Sequence, residues 1–398
     1  MIDDTQAAWR PGFDCGNASV EFVTPVGRQG RAPREARRHG RTQQRASYGV
    51  IREHLEYVVG HLRIDRRSWR GTRAVHLFRK STANRGLLSV AFEDMRAFVP
   101  LLLLLTVHGF AQKSLRTQIA AIAKDADGTV GVSCELPDTK LNCDLNAHNH
   151  APMQSMYKLP LAVTALHLAE MGKLLPDQRS GESTDAILNR KVRFLPTDII
   201  PGSYSPLTDR YPKADVDVTL REVIQLAVGV SDNGAEEILV RLVGGPLAVE
   251  NYVHSLGINA IQVRYSERDL DRDEDLQYQD WIEPMAAVEL LERLAKNPPV
   301  SPASNAFLLK AMADSQTGLQ QLRAGLPPGT TLAHKTGHSG THGGVTAATN
   351  DIGLVTLPDG RRLAIAVFVT DSRANETTRQ RVIARIAQAV YKEALITR

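Results

Sequence analysis

Hydrophobic and polar positions change rhythm along the chain, and each change marks an element. Leu115, Ile119 and Ile122 recur at helical spacing and predict an opening helix. Val130, Val132, Cys134 and Leu136 then alternate, so residues 129–136 and 141–147 read as two strands of a hairpin. Residues 153–322 return to mostly helical spacing. Within them Thr219-x-x-Glu222 and Asn233-x-x-Glu236 are capping-box signatures, and Gly244-Gly245 closes the second helix. Strand character resumes at residues 330–335 and in a hairpin of 351–357 and 362–370 around Pro358-Asp359-Gly360. A last helix carries Ile383, Ile386 and Val390 on one stripe. Strands at both ends with helices between predict an α/β (α+β) fold: one antiparallel sheet built from both chain ends and flanked by terminal helices, with an all-helical second lobe. A small-molecule site belongs in the cleft between such lobes.

Residues 1–94 show no such rhythm. The 398-residue chain has a formal charge of +4, but this segment alone holds 17 Lys and Arg against 10 Asp and Glu, so the remainder is weakly acidic. Three readings compete: a basic arm for nucleic acid, a disordered prefix, or upstream sequence translated from a start codon set too early. Residues 95–112 favour the last. Met95-Arg96 gives a charged start, residues 97–107 are apolar, and Gly109-Phe110-Ala111 offers a cleavage site before Gln112. These are the parts of a secretory signal peptide, too short to span a bilayer; a buried helix is the plainer alternative for the leucine run. The expected division is a mis-assigned or disordered segment at 1–94, a signal peptide at 95–111 and the working domain at 112–398, in the periplasm. With the basic excess confined to 1–94, no nucleic-acid partner is expected, and no stable membrane insertion. Three cysteines exclude a disulfide-dense mini-protein. Cys134 and Cys143 face each other across the first hairpin, either as a disulfide or as buried thiols beside Leu136 and Leu141.

Chemistry is signalled by three short motifs. Ser155-Met156-Tyr157-Lys158 is the only Ser-x-x-Lys, and it opens a helical run. Three residues along a helix bring both side chains to one face, so the amine lies beside a hydroxyl that is a poor nucleophile unaided. Ser231-Asp232-Asn233 is the only Ser-x-Asn, in the break between two capped helices; Lys335-Thr336-Gly337 is the only Lys-Thr-Gly, on a predicted strand. Each has a bland reading alone, a helix cap for Asn233 and a solvated strand end for Lys335. Their order and their separations of 76 and 104 residues make coincidence a poor account.

These residues resemble the three motifs of the penicillin-recognising serine enzymes. The resemblance spans 112–398 and extends to Gln316-Thr317-Gly318, to Tyr204 in Ser203-Tyr204-Ser205-Pro206, and to residues 347–353 before the hairpin. It implies a serine β-lactamase or DD-peptidase-like fold with Ser155 as nucleophile. A β-lactamase differs from a penicillin-binding protein in needing a second base to release its acyl group. Glu267 in Ser266-Glu267-Arg268-Asp269-Leu270 occupies that place, and the stretch to Trp281 is similar to the loop of PER/CfxA-type class A β-lactamases. An ordinary acidic surface loop is the plainer reading of the same residues.

The resemblance implies these roles: Lys158 and Glu267 share the proton traffic of acylation, Ser231 protonates the leaving nitrogen, and Asn233 touches Lys158 and the substrate. Lys335, Thr336, Gly337 and Ser339 shape the carboxylate site. The His338 and Ser155 backbone N–H groups form the oxyanion hole, and Tyr204 walls the cleft. Departures stand out at Tyr265, where many class A enzymes have Arg, and at Asp271, where many have Asn. Two carboxylates as near as Glu267 and Asp271 predict an unusual acid limb for deacylation. The spacing of His334, His338 and His342 would suit a metal on a helix, but on a strand at ~3.3 Å per residue it spreads them too far. No metal, and no cofactor, is therefore expected. The predicted partner is a small-molecule β-lactam, the protein a monomer. Its rivals are a DD-peptidase and a β-lactam sensor that acylates without turnover.

Overall fold

The computed structural model describes residues 114–398. The expectations for 1–94, for the 95–111 signal and for Gln112 lie outside the described residues. Helix α1 (Leu115–Ala123) starts at Ser114, whose hydroxyl accepts the Thr117 N–H, and buries Leu115, Ile119 and Ile122 as the spacing predicts. Strand β1 (Thr129–Glu135) follows. The predicted partner strand at 141–147 does not form. A single bridge joins Val132 to Leu145, because Asn142 and Asn146 turn their amides onto nearby backbone instead. Cys134 and Cys143 are disulfide-bonded, which resolves the two readings of that pair.

The second lobe is built on α2 (Lys158–Glu170), α3 (Asn233–Val243) and α4 (Glu267–Arg272). Helix α2 is apolar nearly all round, with ten of its thirteen residues buried, which makes it the central rod of the lobe. Helix α3 ends where Gly244 takes a φ of 92°, a left-handed turn that glycine adopts without strain. The lobe is not wholly helical, however. Lys191–Phe194 pairs antiparallel with Val216–Thr219. Val192, Phe194 and Val218 alternate inward there, a period of two inside a segment read as helical.

The chain then returns to the sheet through β2 (Leu332–His338), β3 (Val345–Thr356) and β4 (Arg362–Ser372), and ends in α5 (Glu376–Ile396). The order is β1-β4-β3-β2, all neighbours antiparallel, with Thr341–His342 adding a short fifth strand beside β3. Strand β3 begins well before the predicted residue 351, and β4 runs past the predicted 370 to Ser372. One core cluster lies between the sheet's outer face and helices α1 and α5, where Ile383, Ile386 and Val390 are buried. A second fills the helical lobe and reaches the other face through Ile352, Ala366 and Phe368. The sheet from both ends, covered by terminal helices, is as the sequence implied. Strand β2 is left at the edge, against the turn that carries Ser155.

Candidate active site

Ser155 stands in a tight turn, Gln154–Tyr157, that runs directly into α2 at Lys158. Gln154 takes a left-handed φ of 50°, uncommon for a residue with a side chain, and so bends the chain sharply before the serine. Lys158 is fully buried. Its Nζ donates to Ser155 Oγ at 2.9 Å, to the Ser231 carbonyl oxygen at 2.9 Å, and to Asn233 Oδ1. Ser231 also has a left-handed φ, 64°, which aims its carbonyl at Lys158 while its hydroxyl accepts from Lys335 Nζ at 3.0 Å. One strained residue therefore connects both lysines and both lobes.

Asn233 is not a cap. Asp232 takes that place, its buried carboxylate accepting from the Ala235 N–H at 2.8 Å, the Leu207 N–H at 2.7 Å and the Ser205 hydroxyl at 2.7 Å. The Asn233 side chain is thereby free for the cleft: its Nδ2 donates to Ser203 Oγ at 2.6 Å and to Glu267 Oε1 at 3.1 Å. The predicted box residue Glu236 likewise leaves the helix start and lies 3.1 Å from Lys158 Nζ.

Glu267 opens α4, and two adjacent carboxylates of α3 hold that helix start. The Glu267 N–H donates to Glu236 Oε1 and the Arg268 N–H to Glu237 Oε1, each at 3.2 Å, satisfying free donors of the first turn. Arg268 Nε returns to Glu237 at 3.1 Å. With Tyr265 in place of an arginine, the loop is closed by Asp280. Its carboxylate accepts from the Arg264 N–H at 2.7 Å and the Tyr265 N–H at 3.2 Å, and its carbonyl accepts from the Met153 N–H at 3.0 Å. Burial pushes the Asp280 carboxyl up to about 7. Asp271 is exposed, although it lines the same cavity of about 250 Å³ as Glu267, His338 and Ser339.

Strand β2 supplies the other wall. Lys335 is fully buried, not solvated, and burial first, then the charge of Lys158, holds its amine well below the usual lysine range. Thr336 Oγ1 lies 2.8 Å from the Thr317 hydroxyl of the Gln-Thr-Gly segment. The Ser339 N–H donates to the Ala348 carbonyl at 3.0 Å, so by antiparallel alternation the His338 N–H points off the sheet's free edge. The Ser339 hydroxyl accepts from the Ala348 N–H at 3.0 Å and donates to the Gly340 carbonyl at 3.0 Å, while Lys335 Nζ also donates to the Thr336 carbonyl at 2.9 Å. Gly337 packs on the Ser155 turn. Tyr204 is 60% exposed, and its carbonyl accepts the Asn233 N–H at 3.1 Å.

The three histidines do not converge. His334 pairs with Asp351 at 2.9 Å, His338 with Gln321 at 2.6 Å, and His342 with Glu274 at 2.6 Å. Although His338 reaches the surface, desolvation of its ring and the charges of Lys335 and Arg379 push it down to about 4. No group of His, Cys, Asp and Glu fit to hold a metal occurs among the described residues.

Comparison with known proteins decides the class. The profile of the β-lactamase enzyme family matches residues 114–394. The chain belongs to that family. The extended-spectrum β-lactamase PER-1 of Pseudomonas aeruginosa is 37% identical over 278 residues, which cover 70% of this chain and 86% of the relative. A β-lactamase from Chitinophaga pinensis superposes with a TM-score of 0.64 at 39% identity, over 71% of this chain and 100% of its own. The TLA-1 extended-spectrum β-lactamase does so with a TM-score of 0.66 at 36% identity, over 71% and 98%. The enzyme is a class A serine β-lactamase of the PER type, and it opens β-lactam rings by hydrolysis.

Sequence reasoning brought Ser155, Lys158, Ser231, Asn233, Glu267 and Lys335 to one cluster. It gave no role in the site to Asp232, which lies inside the second motif, to Glu236, which it read as part of a capping box, or to Glu237 and Asp280, whose only signal was their acidity beside the motif and the loop.

Proposed function

We propose that Ser155 attacks the lactam carbonyl and that its proton passes to the Lys158–Glu267 pair. The Oγ–C bond forms, the ring C–N bond breaks, and the nitrogen takes its proton from Ser231 beside Lys335; Lys158 passes the proton taken from Ser155 on to Ser231, so that Glu267 is again free to act as a base. The Ser155 and His338 N–H groups hold the oxyanion. Lys335 and Thr336 hold the substrate carboxylate, Asn233 the side-chain amide, and Tyr204 bounds the cleft. Glu267 then deprotonates a water that attacks the ester, the Oγ–C bond breaks, and that proton returns to Ser155 Oγ, which restores both residues. One observation carries this reading. Ser155, Ser231 and Asn233 all converge on the buried Lys158 Nζ, and the Asn233 side chain bridges that amine to the Glu267 carboxylate.

Kinship with extended-spectrum enzymes supports bulky cephalosporins as substrates. The composition of residues 95–111 supports export to the periplasm and cleavage before Gln112, and the Cys134–Cys143 disulfide suits an oxidising compartment. The enzyme acts there as a monomer. The test is mass spectrometry of Glu267→Ala mixed with a chromogenic cephalosporin. A stable adduct on Ser155 is expected in the variant, with rapid turnover in the unaltered enzyme. Rapid release from the variant would remove Glu267 from its role.

A further inference from the structure

Glu236 is a buried carboxylate that the reaction as drawn does not use. It lies three residues after Asn233 on α3, so the helix presents both side chains to Lys158. Glu236 is 1% exposed; Oε2 stands 3.1 Å from Lys158 Nζ while Oε1 accepts the Glu267 N–H at 3.2 Å. One side chain thus spans the amine beside the nucleophile and the first residue of the helix carrying the deacylating carboxylate. Its Oε2 receives no well-directed hydrogen bond. The three N–H directions of the ammonium are taken by Ser155, Ser231 and Asn233, so what Glu236 offers Lys158 is charge.

A lone carboxylate this deep is costly unless an opposite charge stands beside it. The groups facing it are Lys158 on α2, Glu267 on α4, its neighbour Glu237 already paired with Arg268, the buried Tyr157 hydroxyl before α2, and Lys335 across the cleft. We propose that Glu236 is a positioning residue, the counter-charge that holds the Lys158 amine in place on Ser155 and Ser231, so that Glu267 can draw the Ser155 proton in acylation as well as activate water in deacylation. Glu236 touches no reacting atom, and no bond forms or breaks on it. The inference rests on Ser155 as the nucleophile.

Geometry carries this, and titration gives it a readout. Burial first, then Glu267 and Glu237, raise the Glu236 carboxyl to about 7 against the pull of Lys158. Protonated Glu236 no longer offers Lys158 its charge. A group titrating near 7 changes its ionised fraction about tenfold between pH 6 and 8. The acylation rate of the unaltered enzyme is therefore expected to rise about tenfold across that interval.

Stopped-flow acylation and kcat/KM profiles test it on Glu236→Gln, which mimics the protonated form, and on Glu236→Asp, which keeps the charge. Glu236→Gln should lose the rise and stay near the low-pH rate of the unaltered enzyme; Glu236→Asp should retain it. A rise that persists in Glu236→Gln, as it would if Asp280 were its source, overturns the proposal. So does an unaltered enzyme whose acylation rate is flat across the interval, a measurement that needs no variant to fold. An adduct on Ser155 in every sample separates either result from failure of the nucleophile assignment.

Discussion

Gly337→Ala probes how closely β2 must lie against the nucleophile. A Cβ on Gly337 would meet the Met153 carbonyl oxygen at 2.3 Å, the Met156 nitrogen at 3.2 Å and the Gln154 Cβ at 3.3 Å. All three belong to the bend that carries Ser155, and the nearest is backbone, so no rotamer change relieves it. Restoring ordinary contact displaces strand or bend by about 1 Å, and misplacement of that size costs about a hundredfold in rate. That corresponds to about 2.7 kcal/mol of transition-state stabilisation. Overpacking removes a further 1–3 kcal/mol or so from folding stability. The assay is kcat/KM on a chromogenic cephalosporin, paired with a thermal melt showing the variant folded at the assay temperature. The expected result is a folded enzyme with kcat/KM down about a hundredfold. A variant within threefold of the unaltered enzyme and with the same melting temperature would refute the argument that this contact sets the oxyanion geometry.

Other outcomes follow from buried carboxylates. Asp232→Ala strands donors from Ala235, Leu207 and Ser205, and denaturant unfolding should record a loss of about 3–5 kcal/mol. A loss under about 1 kcal/mol would show that the helix start repairs itself. Asp280 keeps its proton up to about 7 when folded, against about 3.9 in an unfolded chain. The folded state therefore binds the extra proton between those values, and stability falls as pH rises through that window, by at most about 4 kcal/mol from this group. Asp280→Asn should show a shallower decline between pH 4.5 and 8 in urea midpoints, and an unchanged slope would contradict the sign.

Periodicity made the sheet legible because its strands are long and the helix that covers it has a simple stripe: Ile383, Ile386 and Val390 of α5 could face only one way. It failed at residues 141–147, where Asn142 and Asn146 bond to backbone and outcompete pairing, and at Lys191–Phe194, a four-residue strand too short to interrupt a helical reading. The nucleophile cluster was legible because its motifs are rare in combination. Its support was not, since a cap and a capping box differ by one residue in register: read at Asn233, the box absorbs Glu236, whereas the true cap at Asp232 releases both side chains inward. Asp271 drew attention as the carboxylate coupled to Glu267 because it stands four residues on, where many class A enzymes have Asn. Asp271 is the sequence neighbour, but the buried partner comes from another helix.

Because β1, among the described residues, has β4 as its only neighbour in the sheet, Thr129 waits for Thr370, and no early portion of the chain can finish the structure. Contacts that join the two ends of a polypeptide form slowly. Ser155 and the strand that completes its pocket are likewise made far apart in time. A ribosome must finish nearly the entire message before any reactive serine exists, so the newborn chain stays inert until its last strands are made.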